Sequence, residues 1–304
     1  MSTPPIQWYP GHIAKAEKAL VEQLKKVDVV LEVRDARIPR SSHHPQTQQW
    51  VGDKPHVLVL NRIDLVTPVS HQLWLDALKA EGQVPYCTDA QHGKGIKAVI
   101  KAAEKVGVSI NQRRRDRGMR PRPVRAVVLG FPNVGKSALI NRLLKRRMVE
   151  SARRPGVTRQ LRWVRVSQDL DLLDTPGVLP AKLNDQEAAY KLAICDDIGT
   201  AAYDNQLVAI ALINLLQQLS NCERPSGFIP DDILATRYQL NPAAITAEDY
   251  LAKAALQKHQ GNLERMAHHI LTDFRKGSLG KITLELPHVC EVSSQDRKHR
   301  NPSG

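Results

Sequence analysis

The chain has few cysteines and no long apolar runs, and both shortages limit what it can be. Its four cysteines, Cys87, Cys195, Cys222 and Cys290, are scattered over 304 residues. They form no Cys-x-x-Cys pair, and no histidine cluster has metal-ligand spacing, so neither a zinc site nor a disulfide framework is indicated. No segment offers the ~18 uninterrupted apolar residues of a membrane helix, and the N-terminus lacks a signal-length apolar run. We therefore expect a cytoplasmic protein without a membrane partner.

Acidic residues are also scarce relative to basic ones. The 44 lysines and arginines against 31 aspartates and glutamates give a formal net charge of +13 and an isoelectric point of about 9.7. This excess favours polyanions, RNA first among them, over acidic proteins or neutral metabolites as partners. A generic basic protein has the same balance, so charge alone does not identify a function.

Two patterns of secondary structure follow one another along the chain. Helical periods and buried-strand runs alternate first, which predicts an α/β domain with a mostly parallel sheet. Two long, glycine-poor segments, 188–219 and 247–274, then have helical period and predict an all-α domain. The stretch 111–125 holds seven arginines with glycine and proline, and we expect an exposed basic linker there. The predicted layout is an α/β domain over 1–184, a helical domain over 185–290 and a disordered tail over 291–304.

A phosphate-binding loop lies between a predicted strand and a predicted helix. The residues from Gly130 to Ser137 read GFPNVGKS, which matches Gly-x4-Gly-Lys-Ser. In such a loop, backbone N–H groups converge on the phosphates at a helix N-terminus, Lys136 reaches the β and γ oxygens, and the Ser137 hydroxyl ligates Mg²⁺. The predicted GTP contacts of this loop are Asn133, Val134, Gly135, Lys136, Ser137 and Ala138.

A guanine-reading motif follows an upstream strand. Asn61 to Asp64 reads NRID and matches Asn-Lys-x-Asp except at Arg62. The Asp64 carboxylate suits the N1–H and N2–H₂ donors of guanine, which adenine lacks, so the motif predicts GTP over ATP. We expect the planar Arg62 guanidinium to stack on the base where a lysine stem would lie. Asp89 and Ala90 occupy the usual place of a second base-contacting loop, although an ordinary strand-to-helix loop would read similarly.

Three further residues are candidates for the γ-phosphate side of the site. Asp174, in Asp-Thr-Pro-Gly at the end of a predicted strand, is a candidate Mg²⁺ ligand, and the Gly177 N–H would contact the γ-phosphate. Thr158 stands between the phosphate loop and Asp174, as expected of a switch threonine that closes on Mg²⁺. The arginines around Thr158 could instead serve RNA or stay solvated.

The order of these motifs is permuted. The guanine motif precedes the phosphate loop in the chain, whereas in an ordinary GTPase it follows the Asp-Thr-Pro-Gly element. A parallel sheet fixes which strands are neighbours in space and not their order in the chain, so the same pocket can form.

Together these features resemble the YlqF/RbgA family of circularly permuted GTPases. The resemblance rests on the motif order, GFPNVGKS, the opening WYPGHIAKA at 8–16, the DARIP run at 35–39 and RPGVT at 154–158, and it spans essentially residues 6 to 285. It implies a circularly permuted P-loop GTPase domain followed by a helical RNA-binding domain. It also implies a factor in late assembly of the large ribosomal subunit that binds rRNA and hydrolyses GTP when the particle stimulates it.

The resemblance also implies roles in catalysis. Val178 stands where small GTPases place a water-orienting glutamine, and an aliphatic side chain cannot orient water. In the family the histidine of the N-terminal Gly-His motif is the proposed substitute, which maps onto His12. The alternative is that His12 caps the helix near Ala14 or contacts RNA. Asn133 matches an asparagine that helps to coordinate K⁺ beside the phosphates, where the cation supplies positive charge.

Two other functions remain open at this stage. One is a nucleotide-gated RNA-binding scaffold that does not require its own hydrolysis, which Val178 makes plausible. The other is a permuted GTPase of the small subunit, although proteins of that group have a β-barrel and a zinc module that this sequence lacks. The expected ligands and partners are GTP or GDP, Mg²⁺ and the large-subunit precursor, and we expect a monomer.

Overall fold

The computed structural model describes residues 6, 20–144, 162–174, 185–243 and 245–287. The predictions for His12, Thr158, Gly177 and Val178 and for the tail 291–304 fall outside these ranges. Among the described helices, none combines the length and apolar character needed to cross a membrane.

One six-stranded sheet forms the centre of the N-terminal part. The strands in chain order are β1 (Val29–Asp35), β2 (His56–Asn61), β3 (Pro85–Thr88), β4 (Val124–Leu129), β5 (Arg162–Arg165) and β6 (Leu170–Asp174). Their spatial order is β3-β2-β1-β4-β6-β5, and all neighbours are parallel except the β5–β6 pair. All seven residues of β1 are buried, as expected for a central parallel strand covered on both faces.

The helices lie on both faces of this sheet and in a second region after it. They are α1 (Thr47–Val51), α2 (Pro68–Ala80), α3 (Ile96–Asp116), α4 (Lys136–Leu143), α5 (Gln186–Ile194), α6 (Asn205–Asn221), α7 (Ile233–Tyr238), α8 (Ala247–His259) and α9 (Leu263–Lys276). Residues 20–24 are also helical. Leu20 and Leu24 pack with Val30, Val127 and Leu129 on one sheet face, while α3 and α4 pack on the other.

The strand order reverses between β1 and β4. From β1 the chain proceeds outwards to β2 and β3 and then returns to β4 beside β1. It continues to β5 at the opposite edge and then to β6, which lies between β4 and β5. Ligands of open parallel sheets bind at the carboxyl ends of the strands where such a reversal occurs. The predicted α/β class and the permuted connectivity are therefore confirmed.

The predicted basic linker 111–125 is wrong over its first part. Helix α3 continues to Asp116, because Gln112 bonds Asp116 one turn on (Nε2–Oδ1 2.8 Å) and Arg115 donates back to Gln112. The arginines of the last turn also face the negative end of the helix dipole, which favours cations. Beyond the helix, Arg122 pairs with Asp28 (2.6 Å), so this connection is anchored to the start of β1.

Each of the two long segments of helical period predicted in the C-terminal part contains two helices. The first is divided into α5 and α6, and Asp204 caps α6 by accepting from the N–H groups of Gln206 and Leu207. The second is divided at Gly261 (φ +84°), after which Asn262 caps α9 by accepting from the Arg265 N–H. Periodicity alone does not reveal such breaks. A single N-capping side chain can begin a new helix without changing the spacing of the apolar residues.

The segment after α9 returns to the sheet. The N–H of Ile282 donates to Leu65 O (2.9 Å), and that of Leu284 donates to Arg37 O (2.8 Å). The indole N–H of Trp74 donates to Glu285 O (3.1 Å). We call the described residues from 185 onwards the helical region. These bonds hold its end beside the carboxyl ends of β1 and β2.

Candidate nucleotide site

The predicted nucleotide motifs meet at the carboxyl edge of the parallel strands. Asp35 ends β1, Asn61 ends β2, Thr88 ends β3, and Gly130 follows β4 directly. The register pairs Asp35 with Asn61 and Asn61 with Thr88, so these ends lie level. The loops that the sequence assigns to guanine and phosphate are therefore neighbours in space.

Asn61 connects three of these loops. Its buried side chain donates from Nδ2 to Val134 O in the phosphate loop (2.9 Å). Its Oδ1 accepts from Thr88 Oγ1 and from the Ala90 N–H, both at 3.1 Å. Both ends of the Asn61 amide therefore bond to other loops of the protein, so this side chain holds the three loops of the pocket together.

Lys136 lies at the start of α4, immediately after Gly135, the helix N-cap. The Lys136 side chain is buried, and its Nζ donates to Phe131 O (2.7 Å) and Gly130 O (3.2 Å). A cation at a helix N-terminus opposes the helix dipole, whereas an anion there is favoured by the dipole and by free backbone N–H groups. The loop thus presents a lysine and a helix end that both suit a phosphate.

Gly135 is required by the close approach of two loops. Its φ is +99°, and a Cβ added to it would lie 2.1 Å from Asn61 Nδ2. Any other residue would displace the amide that joins the guanine and phosphate loops.

Hydrogen bonds hold the Arg62 guanidinium at the edge of the sheet. It has left-handed backbone (φ +65°), and its Nη1 donates to Asp35 Oδ2 (2.8 Å) while its Nη2 donates to Asn133 O. The buried Asp35 carboxylate holds the guanidinium at the sheet edge through its N–H groups. Stacking of its planar face on a base stays a prediction.

The predicted base contacts are brought together on the other side of Asn61. Asp64 lies in a single 3₁₀ turn, Ile63–Leu65, and the ligand atoms of Asp64, Asp89 and His92 lie within 4.8 Å of one another. The Asp89 carboxylate accepts from the His92 backbone N–H (2.9 Å) and contacts His92 Nδ1 (2.7 Å). Ala90 follows Asp89 directly, and its N–H donates to Asn61 Oδ1 (3.1 Å). This set also contains ligand types that suit a divalent cation, but a guanine base supplies donors that match Asp64 without one.

Arg142, on α4, holds the second base-contacting loop, which contains Asp89 and Ala90. Its Nε donates to Ala90 O (3.1 Å) and its Nη2 donates to Gln91 O. The sequence analysis did not identify Arg142, because nothing in its local pattern distinguishes it from a solvated helix arginine.

Asp35 and Arg37 form a buried ion pair beneath the site. Arg37 binds both Asp35 oxygens, with Nη2–Oδ2 at 2.7 Å, and its Nη2 also donates to Cys195 O (3.0 Å). Burial alone would raise the pKa of Asp35, but the charges of Arg37 and Arg62 outweigh it and lower that pKa. Asp35 lies at the end of a predicted strand, as Asn61 does, and this position was the sequence signal that could have identified it as part of the site.

The turn at residues 195–197 closes this network from the helical region. Asp196 O accepts from Asn133 Nδ2 (2.8 Å), and Asp197 Oδ1 lies 3.6 Å from Arg62 Nη1. Asp197 is fully buried, and neither of its carboxylate oxygens has a hydrogen-bond partner in the described ranges. Burial, and then the charge of Asp35, raise the pKa of Asp197 well above its ordinary value.

The predicted Mg²⁺ ligands Ser137 and Asp174 belong to the helix after β4 and to the neighbouring strand β6. Ser137 lies in the first turn of α4, and Asp174 ends β6, whose register pairs Leu173 with Val127 of β4. A hydroxyl and a carboxylate are hard oxygen donors, the type that Mg²⁺ prefers, so the donor set fits this ion. Thr158 and Gly177, the other predicted contacts, lie outside the described residues.

Comparisons with known proteins show the family of the chain. The "50S ribosome-binding GTPase" family matches residues 125–224. Ribosome biogenesis GTPase A of Priestia megaterium is 36% identical over 296 residues, which cover 94% of this chain and 98% of that protein. Mitochondrial ribosome-associated GTPase 1 of Xenopus tropicalis is 31% identical and covers 91% of this chain and 94% of its own.

A solved structure gives the same fold. GNP-bound YlqF from T. maritima has a TM-score of 0.61 at 22% identity and covers 90% of this chain and 98% of its own. Because the relatives exceed 30% identity over nearly the whole of both chains, and the motifs meet in one pocket, the protein is a GTPase that belongs to the ribosome biogenesis GTPase A (YlqF/RbgA) family.

Proposed function

We propose that the protein uses GTP to assist late assembly of the large ribosomal subunit, acting in the cytoplasm as a monomer that binds rRNA and is stimulated by the particle. The observation that carries the nucleotide part is the Asn61 side chain, which joins the guanine, phosphate and second base loops in one network. The relatives, each named for ribosome biogenesis or association, support the choice of the ribosome.

In this proposal each part of the pocket has a distinct task. Asp64 accepts from guanine N1–H and N2–H₂, and the Asp89–Ala90 loop and the Arg62 side chain contact the base. Lys136 contacts the β and γ oxygens, which the N–H groups of the phosphate loop surround. Ser137, Thr158 and Asp174 hold Mg²⁺, which neutralises charge on the phosphates, and Gly177 contacts the γ-phosphate.

Catalysis requires a group that positions the attacking water, and we assign this to His12. Asn133 is the proposed K⁺ ligand, and replacing potassium with sodium in the assay should slow turnover if this is right. A His12→Ala protein should bind GTP with unchanged affinity but lose stimulated turnover by about 10²-fold or more. Normal release of this variant from particles would favour the scaffold function instead.

The helical region supplies an exposed basic surface for RNA. Lys253, Lys258, Arg265, Lys276 and Lys281 are exposed. Arg275 lies in the same part of the chain, but it donates to Ala193 O (2.8 Å), Ile194 O (3.0 Å) and the Tyr203 hydroxyl, so its role is structural. If the exposed residues meet phosphates, log affinity for rRNA should fall with log salt by roughly 0.7 to 0.9 per contact.

Cosedimentation with purified subunits tests the proposal. The protein should associate with large and not small subunits, more strongly with a non-hydrolysable GTP analogue than with GDP, and large subunits should raise its GTP turnover. Equal association with both subunits, whatever the nucleotide, would overturn the assembly function, and a preference for small subunits would favour the small-subunit alternative.

A further inference from the structure

The guanine-reading motif of this protein is in contact with the helical region. Arg62 Nη1 donates to Cys195 O (3.3 Å) as well as to Asp35, and it lies 3.6 Å from the Asp197 carboxylate. The other end of the same guanidinium, Nη2, donates to Asn133 O in the phosphate loop. One planar group therefore spans the sheet edge, the phosphate loop and the 195–197 turn.

The phosphate loop makes a second contact with this turn. Asn133 has left-handed backbone (φ +57°), and its side chain donates to Asp196 O (2.8 Å). Because both the backbone oxygen and the side-chain nitrogen of Asn133 are held, a change in this loop cannot leave the turn unaffected.

The 195–197 turn is itself bonded to the core of the helical region. Its N–H groups donate to carbonyls of α5: Cys195 to Lys191 O, Asp196 to Ala193 O and Asp197 to Leu192 O, at 2.8–3.1 Å. Arg37, which binds Cys195 O, lies over the ring of Phe274 on α9 at 5.2 Å. A displacement of the turn would therefore reach both α5 and α9.

The Asp197 carboxylate is what makes arginine, and not lysine, suitable at position 62. Its two oxygens are buried without hydrogen bonds, and Arg62 and Arg37 are the cations that act on it. A lysine ends in one nitrogen, so it lacks the two separated donor nitrogens with which Arg62 contacts Asp35 from Nη1 and Asn133 O from Nη2.

We propose that Arg62 is a positioning residue that links nucleotide occupancy to the helical region through the 195–197 turn. Nucleotide bound in the phosphate loop fixes Asn133 and Arg62, and these fix the turn. By reciprocity, any ligand that orders the turn from the helical side raises affinity for nucleotide. This rests on nucleotide binding at the proposed site, but not on the identity of the particle.

Amide hydrogen exchange on the full chain tests the proposal. In the wild type, saturating GDP with Mg²⁺ should slow exchange at 130–137 and, by about fivefold or more, at 195–197. Protection of 130–137 without protection of 195–197 would overturn the link. Absence of protection at 130–137 would instead overturn the nucleotide site itself.

The Arg62→Lys variant, also saturated with GDP, should keep protection at 130–137 and lose most of it at 195–197. The matched control is Arg237→Lys, which alters a doubly bonded arginine–carboxylate pair with Asp273 inside the helical region and should transmit protection as the wild type does. A purely structural role for Arg62 would speed exchange at 195–197 equally with and without GDP, and that result would overturn the proposal. So would full transmission by Arg62→Lys.

Discussion

The side-chain Nδ2 of Asn61 donates to the carbonyl oxygen of Val134 across 2.9 Å, and this bond joins two loops that lie 73 residues apart in the chain. The guanine motif and the phosphate loop are therefore positioned relative to one another by a bond within the protein itself. Preorganisation of this kind raises affinity, because the protein does not spend binding free energy on ordering its loops.

Replacing Gly135 with alanine should disrupt this bond. The new Cβ would lie 2.1 Å from Asn61 Nδ2, so the amide must move away from Val134 O. We expect GDP affinity, measured with a fluorescent analogue, to fall by at least about tenfold, the equivalent of ~1.4 kcal/mol. Gly118→Ala is the control, since Gly118 also has positive φ (+70°) but open space around it. Its unfolding free energy should fall by about 1–2 kcal/mol with GDP affinity unchanged. Equal effects of the two variants on affinity would contradict the account.

Asp64→Asn should change the base that the protein prefers. Asparagine can donate to the 2-oxo group of xanthine, whereas its NH₂ meets the N2–H₂ donors of guanine unfavourably. We expect GDP affinity to fall by about 10²-fold or more and xanthosine diphosphate to bind in its place. Competition titrations measure both, and Asp76→Asn on α2, which alters an exposed carboxylate bonded to Gln72, is the control. Retention of GDP preference by Asp64→Asn would show that Asp64 does not read the base.

Asp35→Asn should weaken both the fold and the nucleotide site. The Asp35 carboxylate is fully buried and binds both Arg37 and Arg62, so its neutralisation leaves the buried Arg37 and the partly buried Arg62 with one acceptor fewer. Removing one partner of such a buried pair costs about 3–5 kcal/mol, which urea unfolding can measure. Asp171→Asn, at a pair with the exposed Arg165, should cost less than about 1 kcal/mol. A cost this small for Asp35→Asn would contradict the assigned role.

Glu32 should make the protein sensitive to acid. Burial by itself would raise the pKa of Glu32, but hydrogen bonds from His43 and His56 and the charge of Arg34 outweigh it and hold that pKa well below 4.5. A lowered folded-state pKa stabilises the protein above the unfolded value of about 4.5, and this stabilisation is lost as pH falls through the folded-state pKa.

Comparison of the wild type with Glu32→Gln tests this pH dependence. The variant should be about 3 kcal/mol less stable at pH 7, and the gap should shrink as the pH falls below about 4.5. Urea unfolding at several pH values measures the gap. Glu187→Gln, at an exposed pair with Lys191, should show almost no gap at any pH. A gap for Glu32→Gln that stays constant down to pH 3 would contradict the assignment.

The parts of the site that could be predicted from sequence are those set by local spacing. GFPNVGKS between a strand and a helix fixes the phosphate loop, and Asn61 at the end of a strand fixes the guanine loop, because each depends on a few consecutive residues. The Arg37–Cys195 bond joins positions 158 residues apart and follows no local pattern, so it needed the structure. The bonds of the Arg62 guanidinium to Asp35 and to Cys195 O follow no local pattern either, so they too needed the structure.

Element boundaries failed where single side chains decide them. Helix α3 extends to Asp116 on side-chain bonds one turn apart, and α6 starts at an Asp204 cap that a periodicity argument does not see. The permuted order, in contrast, was predictable, because parallel pairing depends on which strands are neighbours and not on where the chain begins.

The central claim is that segments out of their usual order form one guanine nucleotide site, and a crystal structure of the full chain with GDP and Mg²⁺ tests it most directly. The account predicts the Asp64 carboxylate about 3 Å from guanine N1 and N2. It also predicts that Lys136 Nζ leaves Phe131 O for the β-phosphate. A nucleotide whose phosphates contact Lys136 while its base lies away from Asp64 would contradict the claim.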